Sequence, residues 1–480
     1  MAAATAGCPV DDLLQGTAGH DGGPQRPPDA TTAPADAGAL KDETGASIDA
    51  AAADSDDASD ASRADDGASL PDAPQDMTYY TLDDPARWSF FSIAGVANGT
   101  TKYSGAAFDG RYLYFVPNFS PPSVLRYDDR GAFTDPSSWT SYTPAAAIVA
   151  AGGSKTGTYT YRGGAFDGRY VYLAPFGSNA YALQFDTQQP FSQDAAWTAF
   201  NAATIDTAAN YWGALSDGRY TYLVPNNTTK VVIYDRMATA EGGVGFGSSA
   251  AWSVYDLGTG NQGFWGGAYD GTYVYFAPFS GSVAARHDTI LPPTSGWDVG
   301  ATGFDFNNNF VLGTTAHFWG GAFDGHRVYM IPNQTQSWTL AAYATSGQFS
   351  DYGSWTTCAL GSQLFGGKVT GSAFVGAAFD GRRLILVPYG SPASDAGVPP
   401  LPVVAYDTTQ GLCPTPLSAA YTVFAPTTLD GGAGALGFEG AAFDGQYVYF
   451  VPHAGSVMAR FEAKSVNQGL SPSVYTGSWW

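Results

Sequence analysis

The chain has 480 residues, 44% hydrophobic and only 13% charged, with a net charge of −22. That is ample apolar material for a sizeable core, and the absence of a basic stripe argues against a nucleic-acid backbone as partner. No apolar run reaches the roughly 18 residues of a spanning helix, and three cysteines (Cys8, Cys358 and Cys413) are too few for a disulfide-dense scaffold or a four-cysteine zinc site.

The first 19 residues open MAAATAGCPVDD. The TAGC ending at Cys8 resembles the small-residue box before the lipidated cysteine of bacterial lipoproteins, so Cys8 is the candidate lipidation site. A basic n-region and an apolar h-region are missing, and Thr5 stands where Leu or Val is usual. A start placed too far downstream would explain this; the competing reading is an ordinary terminus with a chance cysteine. Residues 20–77 read as a disordered acidic tether, as in DAAAADSDDASDASRADDGAS. In the first 76 positions 16 acidic and 3 basic residues stand together, a segment too polar and self-repelling to fold. Leader and tether together predict a protein outside a bacterial cell, secreted or lipid-anchored at the envelope.

From residue 78 to residue 480 the text repeats. Asp-Gly pairs fall at Asp109, Asp167, Asp217, Asp270, Asp324, Asp380 and Asp444, spaced 50 to 64 residues apart. Six residues before each Asp is an aromatic (Tyr103, Tyr161, Tyr211, Phe264, Phe318, Phe374, Phe438), and four before it is a Gly. Phrases such as YSGAAF and FWGGAF predict a first strand whose small side chains let backbones crowd together. Asp-Gly is a hairpin signal, since both central positions of a type I′ turn need positive φ. A second strand of Tyr-Val-Tyr pattern ends at a Pro in every copy, because Pro lacks the ladder N–H. A third closes on an aromatic-acid pair, such as LRYD at Asp128 or VAYD at Asp407. A fourth opens on a ring: Trp139, Trp197, Trp252, Trp297, Trp355 and Tyr421.

Seven such units predict an all-β fold, a seven-bladed β-propeller of four-stranded antiparallel blades. The seventh blade lacks its own fourth strand. RWSFF at Trp88 is expected to supply it and close the ring, with the C-terminal SVYTGSWW as the competing segment. The unit resembles the kelch repeat and the propeller of galactose-oxidase-like proteins over roughly Trp88 to Trp480. It departs from kelch where Val-Pro or Ala-Pro replaces Gly-Gly after the second strand.

Most recurrences read as structure. The Asp is a turn former, the Arg after four of them (Arg111, Arg169, Arg219, Arg382) pairs with carboxylates on the turn face, and the fourth-strand rings wedge between blades. Cys358 and Cys413 either pair across neighbouring blades or remain as two buried thiols. Function is expected where the copies differ, at two aligned sets on one rim. After the lead aromatic stand Ser104, Arg162, Trp212, Trp265, Trp319, Val375 and Glu439; after the Pro stand Asn118, Phe176, Asn226, Phe279, Asn333, Tyr389 and His453. The candidate ligand-binding residues are Arg162, Trp212, Trp265, Trp319, Glu439, Phe176, Asn226, Phe279, Asn333, Tyr389 and His453. Sugar faces stack on rings while amides and charges fix hydroxyls; the alternative is that the rings simply plug the channel.

No Gly-x-Ser-x-Gly, His-Glu-x-x-His or phosphate loop appears. The histidines are scattered, and no catalytic residues, metal ligands or cofactor are assigned. The expected function is non-catalytic recognition of a glycan or protein by a monomer. Alternatives are an assembly module of an envelope complex and a propeller enzyme acting on polysaccharide through rim residues such as His453, Arg162 and Glu439.

Overall fold

The structure, a computed structural model, describes residues 77–465 except 100, 209, 239–242, 311–315, 335–337, 367–371, 390–401 and 436. Cys8, the tether up to residue 76 and the C-terminal SVYTGSWW lie outside the described residues.

Among these residues the strands form seven antiparallel sheets, each a four-strand meander, with one short extra strand on the fourth. Blade one comprises Tyr103–Phe108, Tyr112–Pro117, Val124–Asp128 and Trp139–Tyr142. Blades two to seven begin at Thr160, Tyr211, Phe264, Phe318, Phe374 and Phe438. First strands of neighbouring blades pack on one another, so they line the axis of a seven-bladed β-propeller. The last sheet takes its outer strand from Trp88–Ser92, which runs antiparallel to Val457–Glu462 with Trp88 opposite Phe461.

Each hairpin after the first strand is organised by its Asp. Asp109 Oδ1 accepts the backbone N–H groups of Arg111 and Tyr112, and Oδ2 accepts the Tyr114 hydroxyl. Asp167, Asp217, Asp270, Asp324 and Asp444 repeat all three bonds. In blade six Ile385 replaces the tyrosine, and Arg383 Nε donates to Asp380 Oδ2 instead. The turn differs from the type I′ expectation: Gly110 has φ +98, whereas no Asp of these pairs has positive φ. The side chain bonds forward to two amides and thereby fixes the turn, leaving only the glycine left-handed.

The fourth-strand rings do wedge the seams. Trp139 Nε1 donates to Phe133 O, and Trp88, Trp197, Trp252, Trp297 and Trp355 each reach a carbonyl in the same way. Buried clusters join adjacent blades, for example Tyr114 and Val116 of blade one with Val171 and Leu183 of blade two. On the turn face Arg111, Arg169 and Arg219 each grip a third-strand Asp through both Nε and Nη2.

Two features of the seams were not fixed by the repeat. Cys358, in the fourth strand of blade five, is disulfide-bonded to Cys413 of blade six, with Cα atoms 5.3 Å apart. The reading as two free thiols is therefore corrected: the seam places them side by side. The second feature is a charge mismatch. Blade three puts Arg236 against the turn Asp167 of blade two, 3.7 Å away, but blade one offers Asp129 to Asp444 of blade seven. Burial, then the Asp444 and Asp128 carboxylates, push Asp129 up to about 7, and its buried Oδ1 has no hydrogen-bond partner among the described residues.

Replacing Cys413 by Ser should lower unfolding stability by about 2–4 kcal/mol, measured by denaturant titration, because the bond closes a long loop. Asp129 holds a proton in the fold that the unfolded chain has released between about pH 4 and 7, so its contribution to stability declines as pH rises through that window. Asp129→Asn should thus stabilise the protein at pH 8, by about 1–2 kcal/mol once partial exposure is allowed for, and change little at pH 4. Equal effects at both pH values would refute this reading of the seam.

Candidate functional site at the channel mouth

The rim begins with a backbone irregularity repeated seven times. In blade one Tyr103 pairs with Pro117 and Ala106 with Phe115, so Ser104 and Gly105 stand opposite Val116 alone. The other six first strands break register at the same place. The glycine of each bulge is left-handed, with φ from +62 at Gly163 to +125 at Gly213. A bulge re-aims the side chain beside it. Here that side chain is Ser104, Arg162, Trp212, Trp265, Trp319, Val375 or Glu439.

These residues meet across the ring. Trp212 stacks on Trp265 with centroids 3.7 Å apart and planes at 5°, and Trp265 stacks on Phe279 at 3.3 Å and 4°. Trp319 stands edge-on to Trp212 and Trp265 and touches Tyr389. Tyr389 in turn neighbours His453, with centroids 5.7 Å apart. Phe176 packs edge-on to Trp212 at 4.8 Å. On the far side of the Trp212 ring lies the Arg162 guanidinium, 3.9 Å from the centroid.

The polar sector is centred on Glu439, only 2% exposed. Its carboxylate pairs with Arg162 Nη1 and accepts from Ser104 Oγ at 2.8 Å and, more weakly, Asn118 Nδ2 at 3.4 Å. His453 Nδ1 sits 2.5 Å from Glu439 Oε2, but off the line of a good hydrogen bond. Burial, then the Arg162 and Lys102 charges, push His453 down to about 4, so its ring is neutral at pH 7. Burial also pulls Arg162 down to about 10, against the adjoining carboxylate, and it stays charged at neutral pH.

The eleven residues singled out from the sequence thus fall at one mouth, in unequal roles. Glu439, Arg162, Trp212, Trp265, Trp319, Phe279, Phe176, Tyr389 and His453 form one contact network. Asn226 and Asn333 act as staples to the next blade: Asn226 Oδ1 accepts from Trp265 Nε1 at 2.9 Å, and the fully buried Asn333 donates to Phe374 O. The stacked faces of Trp212 and Trp265 are covered by protein, so neither offers an open platform to a sugar. Phe176, Tyr389, His453 and Asn118 keep part of their surface in solvent. Ser104 and Asn118, which hold Glu439, belong to the aligned sets but carry no chemistry conspicuous enough to mark them. His317, edge-on to Phe279 at 5.0 Å, precedes a lead aromatic and falls outside both sets.

No family model matches the chain, and no curated protein does. Among solved structures it is similar to a streptogramin B lyase, with 10% identity and a TM-score of 0.48 over 78% of this chain and 96% of that one. It is also similar to the Dos1 propeller, with 10% identity and a TM-score of 0.40 over 78% and 94%, and to Chaetomium thermophilum Raptor, with 9% and 0.46 over 79% and 29%. At such identities the likeness concerns the fold alone.

Glu439→Leu should destabilise the protein by roughly 3–5 kcal/mol in urea titration, because it strands a buried guanidinium. The double change R162Q/E439Q removes both charges and should cost much less than Glu439→Leu alone. Equal losses would mean that packing rather than charge pairing dominates here.

Proposed function

We propose that this propeller is a non-catalytic recognition head that binds a glycan, or failing that a protein, through its channel mouth. One observation carries the proposal: the seven blades repeat nearly the same Asp-centred chemistry on the turn face, yet deliver five chemically different side chains (Ser, Arg, Trp, Val and Glu) from seven equivalent positions to one mouth. A scaffold that only had to close would have no need of that diversity, and functional variation on rigid repeats collects in such places. We further read the blades as kelch-like, from the small-residue first strand and the Tyr-Val-Tyr second strand. An extracytoplasmic setting, secreted or tethered through Cys8, fits the acidic front segment, and the Cys358–Cys413 bond supports it because disulfides persist in oxidising compartments.

The full chain, labelled and applied to a glycan array, should show saturable binding. Tyr389→Ala or Phe176→Ala should weaken it by about tenfold, in line with an aromatic contact of about 1.4 kcal/mol, while Arg219→Ala on the turn face leaves it unchanged. Absence of saturable binding, or equal loss in the Arg219 control, would eliminate the mouth as a glycan site.

A further inference from the structure

Resting on that reading, we infer that the polar sector of the mouth is a seat for a carboxylate-bearing sugar, with Arg162 as its anchor. The argument starts from a comparison within the molecule. Arg111, Arg169 and Arg219 use Nε and Nη2 together on one carboxylate, the planar two-bond grip that guanidinium favours. Arg162 also has a carboxylate beside it, yet it meets Glu439 through Nη1, and its buried Nε is without a hydrogen-bond partner among the described residues. Trp212, whose ring supports that guanidinium, is 6% exposed and likewise has a buried Nε1–H with no partner among the described residues. Two neighbouring buried donors lacking acceptors carry an unmet desolvation penalty, which an oxygen-rich ligand group would relieve.

The surrounding charges favour an anionic group over a neutral one. Glu439 is engaged by Ser104, Asn118 and Arg162, with His453 against it, so it acts as a positioning residue whose negative charge is offset by the adjoining Arg162 guanidinium. Arg162 and Lys102 both carry positive charge into the field at His453, which is itself neutral. Half-exposed rings flank the sector on both sides. Phe176 lies 4.7 Å from the guanidinium, and Tyr389 lies beside His453. Rings at the edge with an unpaired cation edge between them match a pyranose bearing a carboxylate: C–H faces against Phe176 or Tyr389, carboxylate on Arg162, and hydroxyls within reach of Asn118 and His453.

The test uses the full-length protein and tetrasaccharides of galacturonate, glucuronate and mannuronate, each compared by calorimetry with its carboxyl-reduced counterpart. At least one acidic sugar should bind tenfold or more tightly than its reduced form, and raised salt should narrow the gap. R162Q should abolish the preference. If that single change unfolds the protein, R162Q/E439Q, which leaves no stranded charge, should abolish it in a folded chain. Equal affinity for acidic and reduced forms would overturn the carboxylate seat while leaving glycan recognition standing. No binding of any of these sugars, with an acidic peptide bound instead through Arg162, would overturn the sugar assignment altogether.

Discussion

The structure rests on one steric constraint: seven first strands must crowd a common axis. A Cβ added at Gly321 would lie 3.2 Å from the Gly267 carbonyl carbon and 3.3 Å from Ala268 Cβ on the first strand of the neighbouring blade, tighter than nearly all real Cβ contacts. Small residues at these positions let the blades converge, and the left-handed glycine two residues after each lead aromatic absorbs the extra residue of the bulge. That same bulge turns one side chain per blade into the mouth. The positions able to carry function are therefore a by-product of ring closure, generated seven times by one local rule.

The two faces of the wheel then diverge for a physical reason. On the turn face every Asp is committed to two amides and, in most blades, a tyrosine hydroxyl, while the following Arg is gripped by a third-strand acid. Such sites leave few donors or acceptors open, and their chemistry is the same from blade to blade. At the mouth no backbone bond dictates the side chain, so each blade is free to differ. Aromatic residues gather in blades two to six, and the polar cluster sits where blades seven, one and two meet.

How much of this was legible in the sequence follows from what a repeat encodes. Spacing fixes backbone position, so the blade number, the Asp turns, the Trp wedges and the convergence of the two rim sets could all be read from alignment of the copies. Spacing does not encode contacts made across the axis. That Trp265 has both faces covered, or that Asn333 is fully buried as a staple, depends on radial distances that no single unit contains. The turn type was misread because Asp-Gly is shared by several hairpins, and the forward bonds of the Asp side chain decided among them. The Cys358–Cys413 bond was left open because two residues 55 apart reveal nothing about the seam that joins them.

The buried rings give the polar sector its rigidity. Trp212 is clamped between Arg162 and Trp265, and Trp265 between Trp212 and Phe279, each stacked contact worth about 0.5–1.5 kcal/mol beyond area burial. A side chain held in this way has already lost its rotamer freedom on folding. Arg162 is therefore held in a set direction by the ring it rests on, and on the proposed reading a ligand would be spared much of the ordering cost of about 0.5–1.5 kcal/mol for such a flexible side chain. On the proposed reading, plug and binding surface are compatible roles for the aromatic residues. The rings pack against one another across the mouth, and in doing so they hold the Arg162 guanidinium, whose Nε has no hydrogen-bond partner among the described residues.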